Sequence, residues 1–185
     1  QNPGGTPSYV YTIEKNIKHK KQKYKKVELF EKHYLKIIRK VSLALKNEKD
    51  HLALPMYTLL KTYMRIGNET YYKANGHKGL TTLKKSDIKI DGQNIEFTYL
   101  SKGGVPRKIL EKFPVNYIKR LTKKLKPLKN THFVFTNKEG KTLRDRHFKE
   151  AFKKYCGKEF YPHIVRSHFA TTKAKEFLKK HKKST

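Results

Sequence analysis

The stretch from Ile88 to Leu110 limits the fold of this chain most strongly, because apolar and polar residues alternate over much of it. Such alternation puts apolar side chains on one face of a β-strand. The apolar residues of the central segment are Ile95, Phe97 and Tyr99. An Asp91-Gly92 pair and a Lys102-Gly103-Gly104 tip supply two tight turns. The sequence therefore predicts a three-stranded antiparallel sheet with Lys102 at an exposed tip.

Most of the remaining sequence has the three-to-four-residue apolar spacing of amphipathic helices. The clearest case has apolar positions at Val27, Phe30, Tyr34, Ile37, Ile38, Val41 and Leu45. Further helices are predicted after Asp50, over Glu69–Asn75, from Pro114 with Val115 facing the core, from a Thr142 cap to Gly157, and from Pro162. The helix after Asp50 is expected to end at Gly67, with Arg65 in its last turn. The predicted class is α+β, mainly helical, with one small antiparallel sheet.

The N-terminal residues differ from the rest of the chain in composition. Residues 1–8 are rich in Gly and Pro and are expected to form a flexible leader, so that residues 9–185 form one domain. The segment from Tyr9 to Lys26 is strongly basic. Two interpretations of this basic segment stay open at this point: an arm that follows a nucleic-acid backbone, and a solvated linker.

The charge balance of the chain points to a polyanionic partner. Its 45 Lys and Arg residues against 15 Asp and Glu residues give a net charge of +30. A field of this sign attracts nucleic acid first and an acidic membrane surface second. A surface loaded with lysine for solubility explains part of the excess, but a threefold ratio is hard to attribute to solubility alone.

Other features of the sequence indicate a soluble protein of a reducing, intracellular compartment. Cys156 is the single cysteine, which excludes an internal disulfide framework. The N-terminus does not resemble a signal peptide, and no apolar run approaches the ~20 residues of a membrane helix. We therefore expect no membrane association.

Several enzyme chemistries lack their sequence signals. There is no Gly-x-x-x-x-Gly-Lys-Ser/Thr phosphate loop, no convincing zinc motif, and too few acidic residues for a two-metal nuclease. A serine–histidine triad stays open, although no motif points to one. We expect neither a metal nor a cofactor.

Four basic residues have the types required for phosphoryl transfer without a metal. The planar guanidinium of an arginine grips two phosphate oxygens at once, and Arg65 and Arg166 are the candidates. A lysine on a hairpin, Lys102, suits proton donation to a leaving oxygen. His163 precedes Arg166 by three residues and forms a second cationic pair with it.

An ordered set of motifs gives these residues a family context. The motifs are Arg65-Ile66-Gly67-Asn68, Gly79-Leu80-Thr81-Thr82-Leu83-Lys84, Tyr99-Leu100-Ser101-Lys102 and Pro162-His163-Ile164-Val165-Arg166-Ser167-His168-Phe169-Ala170-Thr171. Together they resemble the catalytic domain of poxvirus-type DNA topoisomerase IB, over roughly Tyr9 to Leu178. Each motif alone is weak, whereas the ordered set with fitting intervals is specific.

The resemblance implies a function. In this family a tyrosine attacks a DNA phosphodiester and becomes linked to the 3′ phosphate, the strand swivels, and the 5′ hydroxyl reseals the break without ATP or metal. Arg65 and Arg166 would bind the scissile phosphate, and Lys102 would protonate the 5′ oxygen. The resemblance also implies contacts with double-stranded DNA at Asn68, Tyr71, Thr82, Lys84 and Gly103. We expect a monomer that acts at DNA, with nucleus, cytoplasm and virion not distinguished.

Two departures from the family pattern leave alternatives open. His163 occupies a position where these topoisomerases usually carry lysine, whereas His-x-x-Arg is typical of the related tyrosine recombinases. The recombinase pattern implies that His163 contacts the phosphate or serves as a general acid or base. The family's next histidine and its nucleophilic tyrosine are expected beyond Arg166, and none of the twelve tyrosines present has that place in the motif order. The family's N-terminal β-rich domain is also not found. We therefore expect this sequence to be part of a longer, complete protein that carries the nucleophile segment, and the chain alone to bind DNA without cleaving it. The alternatives are a tyrosine recombinase and a non-enzymatic DNA-binding module.

Overall fold

The computed structural model describes the backbone of residues 6–184 and the side chains of residues 12–184. Six helices are present among the described residues: α1 Thr6–Ala44, α2 Ala53–Thr62, α3 Glu69–Asn75, α4 Val115–Leu125, α5 Asp145–Cys156 and α6 His163–Lys183. Three strands, β1 Ile88–Asp91, β2 Asn94–Ser101 and β3 Val105–Lys112, form one antiparallel sheet in the order β1-β2-β3. The predicted fold class is confirmed. No helix in residues 6–184 is long and apolar enough to cross a membrane.

The sheet follows the predicted pattern with a shift of one residue at its first turn. Asp91 pairs with Asn94, so the two-residue loop is Gly92-Gln93 rather than Asp91-Gly92. Gly92 has a φ of 60°, the left-handed conformation that such a turn requires. The buried side chains of β2 are those predicted: Ile95, Phe97 and Tyr99.

Helix α1 is much longer than the predicted helix, which began at Val27. Its 39 residues start at Thr6, so the segment from Tyr9 to Lys26 is helical. Lysine and glutamine are good helix formers, and Pro7 lies in the first turn, where proline is tolerated. Residues 6–8 of the expected leader belong to this helix, and residues 1–5 lie outside the described residues.

The core of the domain is centred on α1. Phe30 is fully buried, and its ring lies 5.9 Å from Phe152 of α5, 5.3 Å from Phe160 and 5.2 Å from His168 of α6. Edge-to-face arrangements of this kind are favourable for aromatic rings. Helices α5 and α6 are therefore anchored on the same turn of α1.

The loop between α1 and α2 is held by Asp50, which is 6% exposed. The hydroxyl of Tyr155 donates to both carboxylate oxygens at 2.9 Å, and the Lys154 ammonium lies 3.0 Å from one of them. The guanidinium of Arg120 donates to the Asp50 carbonyl oxygen at 2.7 Å. We call Asp50, Lys154, Tyr155 and Arg120 the Asp50 network; it joins this loop to α4 and α5.

Three local predictions are wrong for tertiary reasons. Thr142 does not cap α5, which begins three residues later, because the Thr142 hydroxyl donates to Glu69 at 2.9 Å instead. Val115 is 50% exposed, and Tyr117 occupies the buried face of α4 in its place. Helix α2 ends at Thr62 rather than at Gly67, which removes Arg65 from any helical turn.

Candidate functional site

The end of α2 is set by Tyr63, a non-glycine residue with a φ of 57°. A bulky residue adopts this conformation only when its surroundings stabilise it. The Tyr63 ring stacks on Phe169 of α6 at 4.1 Å, and its carbonyl oxygen accepts a hydrogen bond from Nη1 of Arg166 at 2.7 Å. Contacts with α6 therefore determine where α2 ends, and they fix the Arg166 side chain next to the Arg65 segment.

Arg65 lies on an extended segment that crosses the segment from Gly79 to Thr81. The Leu80 N–H donates to the Arg65 carbonyl oxygen at 2.8 Å, and the Thr81 N–H donates to Ile66 at 2.7 Å. A Cβ at Gly79 would lie 2.6 Å from the Arg65 carbonyl oxygen, so only glycine allows this approach. The backbone of Arg65 is thus held in place while its side chain is exposed.

Lys102 projects from the tip between β2 and β3. The turn Lys102–Gly104 contains Gly103 at a φ of 78°, and the Ser101 hydroxyl donates to the Val105 carbonyl oxygen at 2.8 Å across its base. Lys102 is exposed. This geometry confirms an exposed hairpin lysine.

The four predicted basic residues line one cavity of about 360 Å³. His163 and Arg166 reach it together because residues three apart share one side of a helix. The lining residues are Met64, Arg65, Ile66, Gly67, Lys102, Asp145, Tyr161, Pro162, His163 and Arg166. We call this space the basic cavity; its size and charge suit a phosphate group.

Electrostatics within the basic cavity favour an anionic ligand. Burial, followed by the charges of Lys23, Arg166 and Arg65, lowers the pKa of His163. Burial and the charges of Arg65 and Arg107 also lower the pKa of Arg166. These cations repel one another in the free protein, and a bound anion would relieve the repulsion.

Comparison with known families identifies the chain. The sequence model described as eukaryotic DNA topoisomerase I, catalytic core, matches residues 14–185, which is most of the sequence. The chain belongs to this family. The narrower poxvirus-type relationship stays a prediction. A search of curated proteins finds no match.

Two solved structures of a site-specific recombinase have a similar fold. One is the XerH site-specific recombinase bound to difH substrate in a pre-cleavage complex, with a TM-score of 0.53, 19% identity, and coverage of 78% of this chain and 42% of that chain. Another is the XerH post-cleavage complex with palindromic difH substrate, with a TM-score of 0.54, 21% identity, and coverage of 79% and 40%. This topoisomerase I core therefore spans about two fifths of the length of those chains, and the likeness shows a shared fold.

Three of the residues expected at DNA lie on the surface of this topoisomerase I core. Asn68 caps α3, with its side-chain oxygen accepting from the Tyr71 N–H at 2.9 Å. The Tyr71 ring is 38% exposed, and its hydroxyl lies 3.5 Å from Nδ1 of His77. Gly103 is exposed at the hairpin tip beside Lys102. All three stay predicted DNA contacts.

The other two expected DNA contacts have partners within the protein. Thr82 is fully buried, and its hydroxyl accepts from the Gly79 N–H at 2.9 Å and donates to the Gly79 carbonyl oxygen at 3.2 Å. Its side chain therefore supports the crossing under Arg65 instead of reaching the surface. Lys84 is half-buried, with its ammonium 5.0 Å from the Tyr72 ring and 5.8 Å from the Phe133 ring.

Three charged residues at or near the basic cavity were not predicted from the sequence. Asp145, the first residue of α5, lines the basic cavity, and it belongs to none of the sequence motifs. Arg107 pairs with Tyr99 across the sheet, and its charge acts on Arg166. The predicted turn at Lys102-Gly103-Gly104 already implied the pairing of Tyr99 with Arg107, so the position of Arg107 could have been predicted. The charge of Lys23 in α1 lowers the pKa of His163. Lys23 was not singled out because many neighbouring residues of its segment are also lysines.

No three His, Cys, Asp or Glu side chains come together as metal ligands in the described part of the chain.

Proposed function

We propose that this chain is the phosphate-binding core of a type IB DNA topoisomerase, which breaks and rejoins one strand of double-stranded DNA. The observation that carries the proposal is the convergence of Arg65, Lys102, His163 and Arg166 on one cavity. The family match over residues 14–185 supports the same reaction class. Duplex DNA is the proposed partner, and a location at DNA follows from it.

The two arginines would stabilise the pentacovalent transition state of strand cleavage. Arg166 uses Nη1 for the Tyr63 carbonyl oxygen, which leaves its other N–H groups for non-bridging phosphate oxygens. Arg65 approaches from a backbone held against Gly79. Fixed donors of this kind stabilise developing negative charge without reorganising during the reaction.

Lys102 and His163 would handle protons. Lys102 is proposed as the donor to the leaving 5′ oxygen, because the exposed hairpin tip lets its ammonium approach that atom. Burial and nearby cations lower the pKa of His163, which favours its neutral imidazole in the free protein. A bound phosphate would raise this pKa and favour the imidazolium, in which both ring N–H groups donate hydrogen bonds.

The nucleophile is not assigned to a tyrosine of this chain. Tyr99 and Tyr155 are buried, and burial raises the pKa of each phenol, more strongly at Tyr155 with the help of Asp50. Tyr161 lines the basic cavity and is 61% exposed, but it precedes Arg166 in the chain, unlike the family's nucleophile. We propose that the chain alone binds DNA without cutting it.

A denaturing trap for covalent protein–DNA adducts tests this proposal. The complete protein is expected to leave a 3′-linked adduct and a free 5′ hydroxyl. Arg65→Ala, Lys102→Ala and Arg166→Ala should each slow cleavage by about 10²–10³-fold. If the three variants weaken DNA binding but leave the cleavage rate per bound complex intact, the chain is a non-enzymatic binding module.

Tyr161→Phe is the matched control for the nucleophile. The proposal predicts no adduct from residues 1–185 alone, whether or not the Tyr161 hydroxyl is present. An adduct that forms with this chain and disappears in Tyr161→Phe would assign the nucleophile to Tyr161 and contradict the binding-only proposal.

A site-specific tyrosine recombinase is the second candidate, and one observation favours it. His163 lies in the basic cavity three residues before Arg166, in the order that recombinases use. A recombinase exchanges strands between two specific sites and does not relax plasmids in general. Strand exchange between defined sites by the complete protein, without general relaxation, would select this candidate.

A further inference from the structure

One side of α1 changes its chemical character where the helix leaves the core. The residues of this side that pack into the domain are Val27, Phe30, Tyr34, Ile37 and Val41, of which all but Tyr34 are buried. At 3.6 residues per turn the same side continues toward the N-terminus as Asn16, His19, Lys20 and Lys23. We call these four residues the inner face. Apolar packing thus gives way to polar and basic residues along one line.

The outer half of α1 is exposed to solvent. Every described residue from Thr12 to Lys26 is exposed, over a helix length of about 22 Å. This segment contains seven lysines and one acidic residue, Glu14. The segment is therefore a continuous solvent-exposed helix.

The inner face lies beside the basic cavity. Phe30 packs on Phe160 and His168, which flank the first turn of α6. Lys23 lies two turns before Phe30 on the same side of α1, and its charge acts on His163 at the start of α6. The charge of the inner face thus reaches His163, one of the residues that line the basic cavity.

The position of the lysines argues for a polyanion rather than a protein partner. A protein helix packed here would need an apolar residue at the centre of the inner face, where Lys23 lies. The exposed apolar residues Ile13, Ile17 and Tyr24 are displaced to one flank of the helix, by roughly a quarter turn from Lys23. Exposed lysines of this kind neutralise the phosphates of a DNA backbone.

We propose that the inner face of α1 binds the phosphate backbone of double-stranded DNA next to the phosphate held in the basic cavity. This inference rests on the proposed function, because it takes duplex DNA as the polyanion. It adds a second DNA-binding element that sets how the duplex lies across the cavity.

The test compares two pairs of lysines on the same helix. Lys20→Gln with Lys23→Gln neutralises the inner face, and Lys21→Gln with Lys25→Gln is the matched control. Lys21 and Lys25 are each two residues from Lys23, which is about 200° around the helix. Both pairs remove two exposed charges and introduce the same residue, so long-range effects are equal.

The measured quantity is the affinity of the 185-residue chain for a duplex of arbitrary sequence as a function of salt. Each phosphate contact contributes about 0.9 to the slope of log affinity against log salt. The inner pair should reduce the slope by about 1.8 and weaken binding most at low salt. The outer pair should change the slope by much less.

The outcomes separate this inference from the proposed function. Equal slope changes for the two pairs, or none for the inner pair, would overturn the inference and leave the basic cavity as a DNA site. Failure of the unmodified chain to bind duplex would instead sink the proposed function. The charge-preserving variant Lys20→Arg with Lys23→Arg must keep the original slope, which guards against an effect of misfolding.

Discussion

The position of the Arg65 backbone depends on the contact between Gly67 and Gly79. Gly79 has a negative φ, so alanine is conformationally allowed there, but its Cβ would meet the Arg65 carbonyl oxygen at 2.6 Å. We expect Gly79→Ala to cost about 1–3 kcal/mol of unfolding free energy, as overpacking does. Urea unfolding measures this cost.

Gly79→Ala should also displace Arg65 from the basic cavity. Cleavage by the complete protein is then expected to fall toward the level of Arg65→Ala, while α6 and its Arg166 stay in place. A variant with unchanged stability and unchanged cleavage would show that the two segments do not cross as closely as described.

His163 reports on the charges around the basic cavity. Its pKa in the free chain should lie below the ordinary value of 6.5, because burial and three cations oppose the imidazolium. NMR titration of the imidazole should show the pKa rising when Lys23 is replaced by glutamine, and rising again when duplex DNA binds. A value at or above 6.5 in the free chain would contradict this electrostatic arrangement.

At the scale of elements, the Asp50 network joins the α1–α2 loop to α4 and α5. Tyr155→Phe keeps the ring and removes the hydroxyl that donates to both Asp50 oxygens. Hydrogen bonds to charged groups contribute about 1.5–3 kcal/mol, and we expect a loss in that range at neutral pH. Thermal or urea unfolding measures it.

The same variant has a predictable pH dependence. The hydrogen bonds from Lys154 and Tyr155 outweigh burial and lower the pKa of Asp50 in the folded state. A depressed carboxyl pKa stabilises the fold above the unfolded pKa of about 3.9, and this stabilisation is lost as pH falls through the folded value. The difference between wild type and Tyr155→Phe should therefore shrink in acid; a difference independent of pH would contradict the network.

At the scale of the whole molecule, the net charge of +30 opposes the compact state through self-repulsion. Salt near physiological strength shortens the range of this repulsion to about 8 Å. We therefore expect the melting temperature to rise with salt, and to rise further with duplex DNA by mass action. A melting temperature that falls with added salt, or ignores duplex, would show that the charges do not act as one surface.

Local sequence patterns predicted most of the architecture. The alternation in β2 and the apolar spacing from Val27 onward each define one apolar face. Because an apolar face is buried whichever element packs on it, the predicted buried faces are largely those observed. Features that depend on tertiary contacts could not be predicted from local sequence. Tyr63 ends α2 because Phe169 and Arg166 stabilise its left-handed conformation, and neither residue is near it in sequence.

The proximity of the four basic residues followed from motif order, whereas the residues that support them did not. Motif order placed Arg65, Lys102, His163 and Arg166 together, and the fold brings them into one cavity. Thr82 shows the limit of motif reasoning. Membership of a motif does not tell a buried residue that supports the backbone from a surface residue that contacts a ligand, and the Thr82 hydroxyl bonds to the Gly79 backbone. The helical state of the first half of α1 was hidden because lysine suits helices and linkers alike.

Relaxation of a negatively supercoiled plasmid tests the central claim most directly. The complete protein, assayed with a chelator and without ATP, should convert the plasmid to a ladder of relaxed topoisomers. Arg65→Ala and Arg166→Ala should each reduce the rate by about 10²–10³-fold while duplex binding changes far less. Relaxation at the wild-type rate by these two variants, or no relaxation by the unmodified protein, would contradict the proposed type IB topoisomerase site.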